Sequence, residues 1–185
     1  LMKFAIIGAG RFATKRALAL SRMPQKAEIT AVVDVDKEKA EALGSRLKSQ
    51  PRIYTNYEDI LSDKNVESVI IAVPNDQHSK LAVPCLKQGK HVLCEKPIGR
   101  TTEEAAAVYR AAKGAKGFFK TGSNHRYMPN VQKAKELLDE EAIGRVRFAR
   151  GWIGHKGTYV KDTWFYNKEV AGGGALLDNG CHVMD

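Results

Sequence analysis

Lys96, Asp178 and His182 are residues whose types suit removal of a proton from an alcohol. Asp178 and His182 are four residues apart in a stretch that reads as a helix, so the two side chains share one face. Histidine, with an ordinary pKa of roughly 6.5, can accept a hydroxyl proton near neutrality. A carboxylate can orient the substrate, and a lysine can stabilise developing alkoxide charge. From spacing alone, a plain helix salt bridge between Asp178 and His182 is an equally good interpretation.

The tripeptide Glu95-Lys96-Pro97 ends the apolar run of residues 91–94. A strand that ends there would present a carboxylate and a cation at the carboxyl edge of a parallel sheet, where open α/β folds bind their ligands. Taken alone, the tripeptide is better explained as solvated turn charges before a proline.

A glycine-rich run, residues 8–13, follows one apolar segment, and Asp34 ends the next, about two dozen residues later. Gly8 permits a tight turn, and Gly10 lets the backbone approach a pyrophosphate at the amino terminus of the helix that follows. The pattern therefore predicts a dinucleotide site. The further cofactor contacts predicted at the start of this helix are Arg11 and Phe12.

Asp34 would accept hydrogen bonds from the adenosine ribose, and its charge would repel a 2′-phosphate. This favours NAD as the cofactor, and Lys37 keeps NADP as the alternative. The alternative interpretation is that Asp34 is an ordinary turn residue with no role in cofactor binding.

Pro74, Asn75 and His78 follow a buried apolar run and could line the cofactor groove at the same sheet edge. By sequence physics alone, Asn75 or Asp76 is better explained as a helix N-cap, and His78 as a packing or surface histidine.

Hydrophobic periodicity predicts that strands and helices alternate through residues 1–122. The predicted strands are 3–7, 28–34, 68–73, 90–94 and 117–121. The predicted helices span 12–22, 36 to about 47 with Asp36 as the cap, 76–88 and 101–113, and Pro84 lies inside the third. Thr55 and Glu58 have the spacing of a capping box, which predicts another helix start. This order predicts a doubly wound parallel sheet of the Rossmann type.

A second, α+β domain is expected to begin at residue 123 and to be incomplete at 185. Its predicted elements are a helix over 130–141, a half-exposed strand over 145–153, an aromatic-rich loop over 154–169, and a helix after the triple glycine at 172–174. One strand cannot complete a sheet layer, so we expect a truncated sequence.

Composition excludes several classes of function. The net charge of +9 is spread along the 185 residues without a basic run, which indicates a solvated surface rather than a nucleic-acid partner. No apolar stretch is long enough for a signal sequence or a membrane span. The three cysteines have neither disulfide nor metal spacing. We therefore expect a cytoplasmic protein with reduced thiols and no metal.

Taken in order, these motifs resemble the glucose-fructose oxidoreductase/inositol dehydrogenase (Gfo/Idh/MocA) family over the whole chain. They are residues 5–10, Pro74-Asn75 with His78, Glu95-Lys96-Pro97, Arg126-Tyr127 with Pro129, and residues 172–182. The resemblance implies an amino-terminal Rossmann domain and a carboxy-terminal domain whose open sheet commonly forms a homo-oligomer interface.

The resemblance also implies roles for individual residues. Lys96 and His182 would lie at the nicotinamide, with His182 as base and Lys96 as its electrostatic assistant, although family members divide this role differently. Asp178 would bind a substrate hydroxyl. The remaining implied substrate contacts are Arg126, Tyr127 and Trp164, and the remaining implied cofactor contacts are Pro74, Asn75, His78 and Glu95.

The implied function is an NAD(P)-dependent oxidoreductase acting on a sugar, inositol or related polyol. An NAD-dependent glycosidase that oxidises its substrate transiently and a non-enzymatic NAD-binding sensor are the alternatives. Because family members usually continue well beyond the residue corresponding to Asp185, we expect residues 1–185 to bind NAD weakly or not at all and a complete chain to be a working dehydrogenase.

Overall fold

The computed structural model describes residues 1–185, apart from the side chain of Tyr159. Six strands form one sheet in the order β3-β2-β1-β4-β5-β6, and every neighbouring pair is parallel. The strands are β1 Met2–Ile7, β2 Ala27–Val33, β3 Arg52–Tyr54, β4 Ser68–Ile71, β5 His91–Cys94 and β6 Phe119–Thr121. This is the doubly wound Rossmann topology, so the predicted fold class is confirmed.

Seven α-helices connect or follow these strands in the described part of the chain. They are α1 Arg11–Leu20, α2 Lys37–Gly44, α3 Asn75–Lys87, α4 Thr102–Gly114, α5 Pro129–Asp139, α6 Lys168–Ala171 and α7 Cys181–Met184. Short 3-10 turns span Tyr57–Ile60, Asn124–Tyr127, Thr158–Val160 and Trp164–Tyr166, and a π-helical turn spans Leu176–Gly180. None of these helices is both long and apolar enough to cross a bilayer.

The sheet buries both of its faces. In β1, Ala5 and Ile7 join one core cluster, while Ile6 between them joins the other. In β4, Val69 and Ile71 face the first cluster and Ile70 the second. Successive side chains of a strand point to opposite faces, so helices on both sides explain why these strands read as unbroken apolar runs.

Two of the predicted helix caps are confirmed, and the one at Thr55 is wrong. Asp36 caps α2 by accepting from the backbone N–H of Lys39, and Thr101 caps α4. The predicted cap at Thr55 is wrong, because Asn56 caps the next turn by accepting from the Glu58 N–H at 3.1 Å. An asparagine side chain readily closes such a local turn with the backbone two residues on.

The predicted strand over 145–153 is wrong. These residues are irregular and largely exposed, with Phe148 at 81% and Trp152 at 88% of full exposure. A strand needs a neighbour to pair its backbone N–H and C=O groups, and none of the six strands in the described sheet pairs with this segment. The helix predicted after the triple glycine is also not continuous, since the π-helical turn precedes α7.

Candidate functional site

The turn between β1 and α1 has the shape of an anion-binding loop. Gly8 has φ +99°, and a Cβ at this position would lie 2.4 Å from the carbonyl oxygen of Ala72. A Cβ on Gly10 would meet no atom within 4 Å. No side chain caps the start of α1, and its first turn has no acidic residue. The helix dipole is therefore available to a phosphate, and the loop fits a dinucleotide.

Asp34 follows β2 and holds this loop. Its carboxylate accepts from the backbone N–H of Ala9 at 2.7 Å and from that of Asp36 at 2.9 Å. The same carboxylate therefore fixes both the glycine loop and the start of α2. Lys37 is exposed and lies 3.5 Å from Glu41.

Two predicted cofactor contacts at α1 lie at the surface. Arg11 is exposed, and Phe12 is 45% exposed with Lys15 Nζ 5.4 Å from its ring centroid. Glu95, by contrast, is tied to α1, because its Oε1 lies 2.6 Å from Arg16 Nε. This ion pair joins the end of β5 to the helix that follows the glycine loop.

His78 and Asn75 are buried and bind backbone. The His78 ring nitrogens face the carbonyl oxygens of Pro97, at 2.5 Å from Nδ1, and Val73, at 3.0 Å from Nε2. Burial lowers the pKa of His78, and the hydrogen bonds to the two carbonyls oppose that shift. Asn75 Nδ2 donates to the carbonyl of Ala171 at 2.9 Å. These two side chains therefore tie β4, the Lys96 turn and α6 together.

The predicted side-chain cap of α3 is wrong. Pro74 occupies the N-cap position without a side-chain hydrogen bond, and the helix begins at Asn75. The Asn75 amide is instead engaged with Ala171. The predicted contacts of Pro74, Asn75 and His78 with the cofactor stay predictions.

Lys96 and Asp178 form a direct pair at the carboxyl edge of the sheet. Lys96 Nζ donates to Asp178 Oδ1 and to the Asp178 carbonyl oxygen, both at 2.6 Å. The two side chains are 20% and 22% exposed, so the pair is largely screened from solvent. Asp178 Oδ2 also lies 3.8 Å from His155 Nε2.

The interpretation of Asp178 and His182 as a helix salt bridge is not supported, since the ion pairs of Asp178 in the described structure are with Lys96 and His155. The π-helical turn Leu176–Gly180 widens the helix between them and disturbs the four-residue register.

His182 lies face to face with His125, with ring centroids 3.9 Å apart. Its Nδ1 is buried and has no hydrogen-bond partner in the described structure. Burial lowers the pKa of His182, and repulsion by His125 and Lys96 lowers it further. The ring is therefore neutral near pH 7, the state in which it can accept a proton.

The other predicted substrate contacts, Arg126, Tyr127 and Trp164, do not all lie beside the Lys96–Asp178 pair. Arg126 holds Asp185 through two hydrogen bonds of 2.7 Å, which raise the pKa of Arg126 and lower that of Asp185. Tyr127 is 54% exposed, and Lys120 Nζ lies 4.8 Å from the centroid of its ring. Trp164 stacks on Phe165 at 3.9 Å. Within the described contacts, neither Tyr127 nor Trp164 is bonded to the Lys96–Asp178 pair.

Sequence reasoning missed His125 and His155, which contact His182 and Asp178. His125 stands directly before Arg126 in a motif already singled out, and that adjacency was the available signal. Cys181 donates its thiol to the Asp178 carbonyl, and burial raises the pKa of that thiol. Among the described residues, no group of three His, Cys, Asp or Glu side chains is placed to hold a metal.

Comparison with known families identifies both halves of the chain. Residues 2–123 match the model of an oxidoreductase family with an NAD-binding Rossmann fold, and residues 131–185 match the GFO/IDH/MocA C-terminal domain. The chain belongs to the GFO/IDH/MocA oxidoreductase family. The expected family and the NAD-binding Rossmann fold are thereby confirmed.

Individual relatives agree with this assignment. Levoglucosan dehydrogenase of Pseudarthrobacter phenanthrenivorans is 32% identical to this chain. The match covers 100% of this chain and 50% of the length of that enzyme. Trans-1,2-dihydrobenzene-1,2-diol dehydrogenase of Xenopus laevis is 31% identical over 98% of the chain and 54% of its own length. This structure superposes on that of levoglucosan dehydrogenase in complex with NADH and L-sorbose with a TM-score of 0.86 and 29% sequence identity. The match covers 100% of this chain and 51% of the levoglucosan dehydrogenase chain. The chain thus spans about half the length of these relatives.

Proposed function

We propose that the complete protein is an NAD-dependent oxidoreductase that transfers a hydride between nicotinamide and a hydroxyl-bearing carbon of a sugar, inositol or related polyol. One observation supports this most strongly: Lys96, at the end of β5, binds Asp178 at 2.6 Å in the same site as a neutral, partly buried His182. A cation, a carboxylate and a base then surround one reacting hydroxyl.

Each of these residues has a distinct part in the chemistry. A bound nicotinamide supplies the acceptor for the hydride. Lys96 has three N–H donors, of which Asp178 uses two, so the third can bind the substrate oxygen and stabilise negative charge on it. His182 accepts the hydroxyl proton. Asp178 orients Lys96 and can accept a hydrogen bond from a second substrate hydroxyl.

The choice of NAD over NADP is part of the proposal. Asp34 places a carboxylate beside the glycine loop, where its charge repels a 2′-phosphate. Lys37 is the cation that could offset this, and its partner Glu41 weakens that effect. The similar levoglucosan dehydrogenase structure holds NADH, which agrees with this choice.

The names of the relatives narrow the substrate class. One acts on levoglucosan, an anhydrosugar, and the other on a vicinal diol of a six-membered ring. Both compounds carry a secondary hydroxyl on a ring carbon beside another hydroxyl-bearing carbon. A cyclic polyol with neighbouring hydroxyls suits a site with a cation and a carboxylate 2.6 Å apart.

The complete protein is also proposed to be a homo-oligomer. The segment over 145–153 leaves Phe148 and Trp152 more than four-fifths exposed. Large aromatic side chains at such exposure are typical of surfaces that another part of a protein or another copy covers. Light scattering on the complete protein would test this.

The function is tested by incubating the complete protein with NAD and, separately, levoglucosan, myo-inositol and glucose, while following reduced nicotinamide. Turnover with a cyclic polyol supports the proposal. Glycoside cleavage with cofactor that never leaves the protein would support the glycosidase alternative, and nucleotide binding without turnover on any compound would support the sensor. Either of these two outcomes would reject the proposed reaction.

A further inference from the structure

His125 and His182 come from distant segments and meet face to face. His125 belongs to the 3-10 turn that follows β6, and His182 to α7. Their ring centroids are 3.9 Å apart and their planes differ by 15°. Nδ1 of His182 is buried and has no hydrogen-bond partner among the described residues. The stack on His125, rather than a hydrogen bond at Nδ1, therefore restrains the plane of the His182 ring.

A second contact holds the same two segments together. Arg126, the neighbour of His125, binds both carboxylate oxygens of Asp185, three residues after His182. A bidentate contact of this kind fixes orientation as well as distance. The position of His125 against His182 is therefore set by the fold.

We propose that His125 is a positioning residue: its ring stacks on His182 and fixes the plane of that ring, which leaves His182 able to accept the proton of the substrate hydroxyl. This inference rests on the proposed function, in which His182 is the base. In that step the substrate O–H bond breaks, an N–H bond forms on His182 and the carbon–oxygen bond becomes double, while the hydrogen on that carbon leaves as the hydride that a bound nicotinamide would accept.

The charged and titratable groups around His182 agree with this role. His125 faces it from the 3-10 turn and Lys96 from the end of β5, and both lower the pKa of His182 after burial, the largest cause. Asp178 on the π-helical turn and Asp185, directly after α7, oppose them. Each of these carboxylates is bound by a cation, and the neighbouring Cys181 thiol has a raised pKa and stays neutral.

Two like charges at this separation disfavour each other, so a charge on His125 lowers the pKa of His182. A substitution that keeps an aromatic ring but removes the charge separates the two effects of His125. His125→Phe retains the stack and removes the repulsion. His125→Gln removes both.

The test is a pH titration of the complete protein labelled with 13C at histidine Cε1 and followed by NMR, with His182→Asn to assign the signal. In His125→Phe and His125→Gln, the His182 midpoint is expected to move to higher pH. His91→Phe is the matched control, because His91 stacks on Phe118 at 5.4 Å on the opposite end of β5, and it should leave the midpoint unchanged. An unchanged His182 midpoint in both His125 variants would overturn the proposal.

Kinetics give a second readout, with levoglucosan and myo-inositol as probes. In His125→Phe, the acidic limb of kcat/KM should move to higher pH while the alkaline plateau is kept, so that activity falls several-fold only on the acidic side. A plateau lowered equally at every pH would show a merely structural role and would contradict the proposal. If the wild type turns over neither probe, the proposed function fails, and the NMR titration still decides whether His125 lowers the His182 midpoint.

Discussion

Lys96 Nζ lies 2.6 Å from both the carboxylate and the carbonyl oxygen of Asp178, a residue 82 positions further along the chain. The cation at the end of β5 is thus bound to the segment that carries His182. Because two of its three donors are used, the remaining one has a restricted direction. Positioning of this kind favours a reaction at one substrate oxygen.

Replacing Lys96 with Met should lower kcat/KM of the complete protein about 10²- to 10⁴-fold, the range for loss of a group that stabilises charge in the transition state. NADH affinity should change little. Lys135→Met, which removes an exposed cation on α5, is the matched control and should retain polyol turnover. Steady-state kinetics and NADH titration measure both effects, and wild-type kcat/KM in Lys96→Met would contradict the assignment.

Gly8→Ala and Gly10→Ala should have different consequences. A Cβ at Gly8 would lie 2.4 Å from the Ala72 carbonyl at φ +99°, so this variant should lose at least about 1–3 kcal/mol of stability as well as NADH binding. A Cβ at Gly10 meets no protein atom within 4 Å, so Gly10→Ala should fold normally and still bind NADH poorly. Thermal unfolding and fluorescence titration separate the two. Normal NADH affinity in Gly10→Ala would place the pyrophosphate elsewhere.

Asp34→Asn should reduce the preference for NADH over NADPH. The amide keeps the size of the side chain and one of the two oxygen acceptors that bind the Ala9 and Asp36 N–H groups, and it removes the charge that repels a 2′-phosphate. Nicotinamide fluorescence with each nucleotide measures the ratio of the two dissociation constants. A ratio equal to that of the wild type would remove Asp34 from cofactor selection.

His78 should make folding stability depend on pH. Its pKa in the folded chain is lowered below the ordinary value of 6.5, chiefly by burial, so the unfolded chain binds the proton more readily. The contribution of the neutral ring is therefore complete above pH 6.5 and is lost as pH falls toward the folded pKa. Urea unfolding at about pH 5 and about pH 8 should show this loss, and the difference should shrink in His78→Asn. An equal pH difference in both proteins would contradict the prediction.

The sheet and its ligand edge could be predicted because their signals are local. Apolar runs separated by amphipathic segments indicate parallel strands, and Gly8 is needed where its φ is +99°. Lys96 could be placed at the sheet edge for the same reason, since it stands two residues after the end of β5.

The features that the sequence did not predict depend on contacts between residues that are distant along the chain. His125 and His182 are 57 positions apart and meet by fold alone, and no periodicity encodes such a stack. The π-helical turn at Leu176–Gly180 was also not visible in the spacing of Asp178 and His182. The alternating pattern at 145–153 indicated a strand, but alternation alone does not provide a partner strand.

Transfer of a labelled hydrogen is the most direct test of the proposed reaction. The complete protein is incubated with NAD and with levoglucosan or myo-inositol deuterated at the hydroxyl-bearing ring carbons, and the nicotinamide product is examined by mass spectrometry. Deuterium in the reduced nicotinamide, formed by the wild type and lost in Lys96→Met, is the predicted result. Reduced nicotinamide without deuterium, or no reduction although NAD is bound, would contradict the proposed hydride transfer.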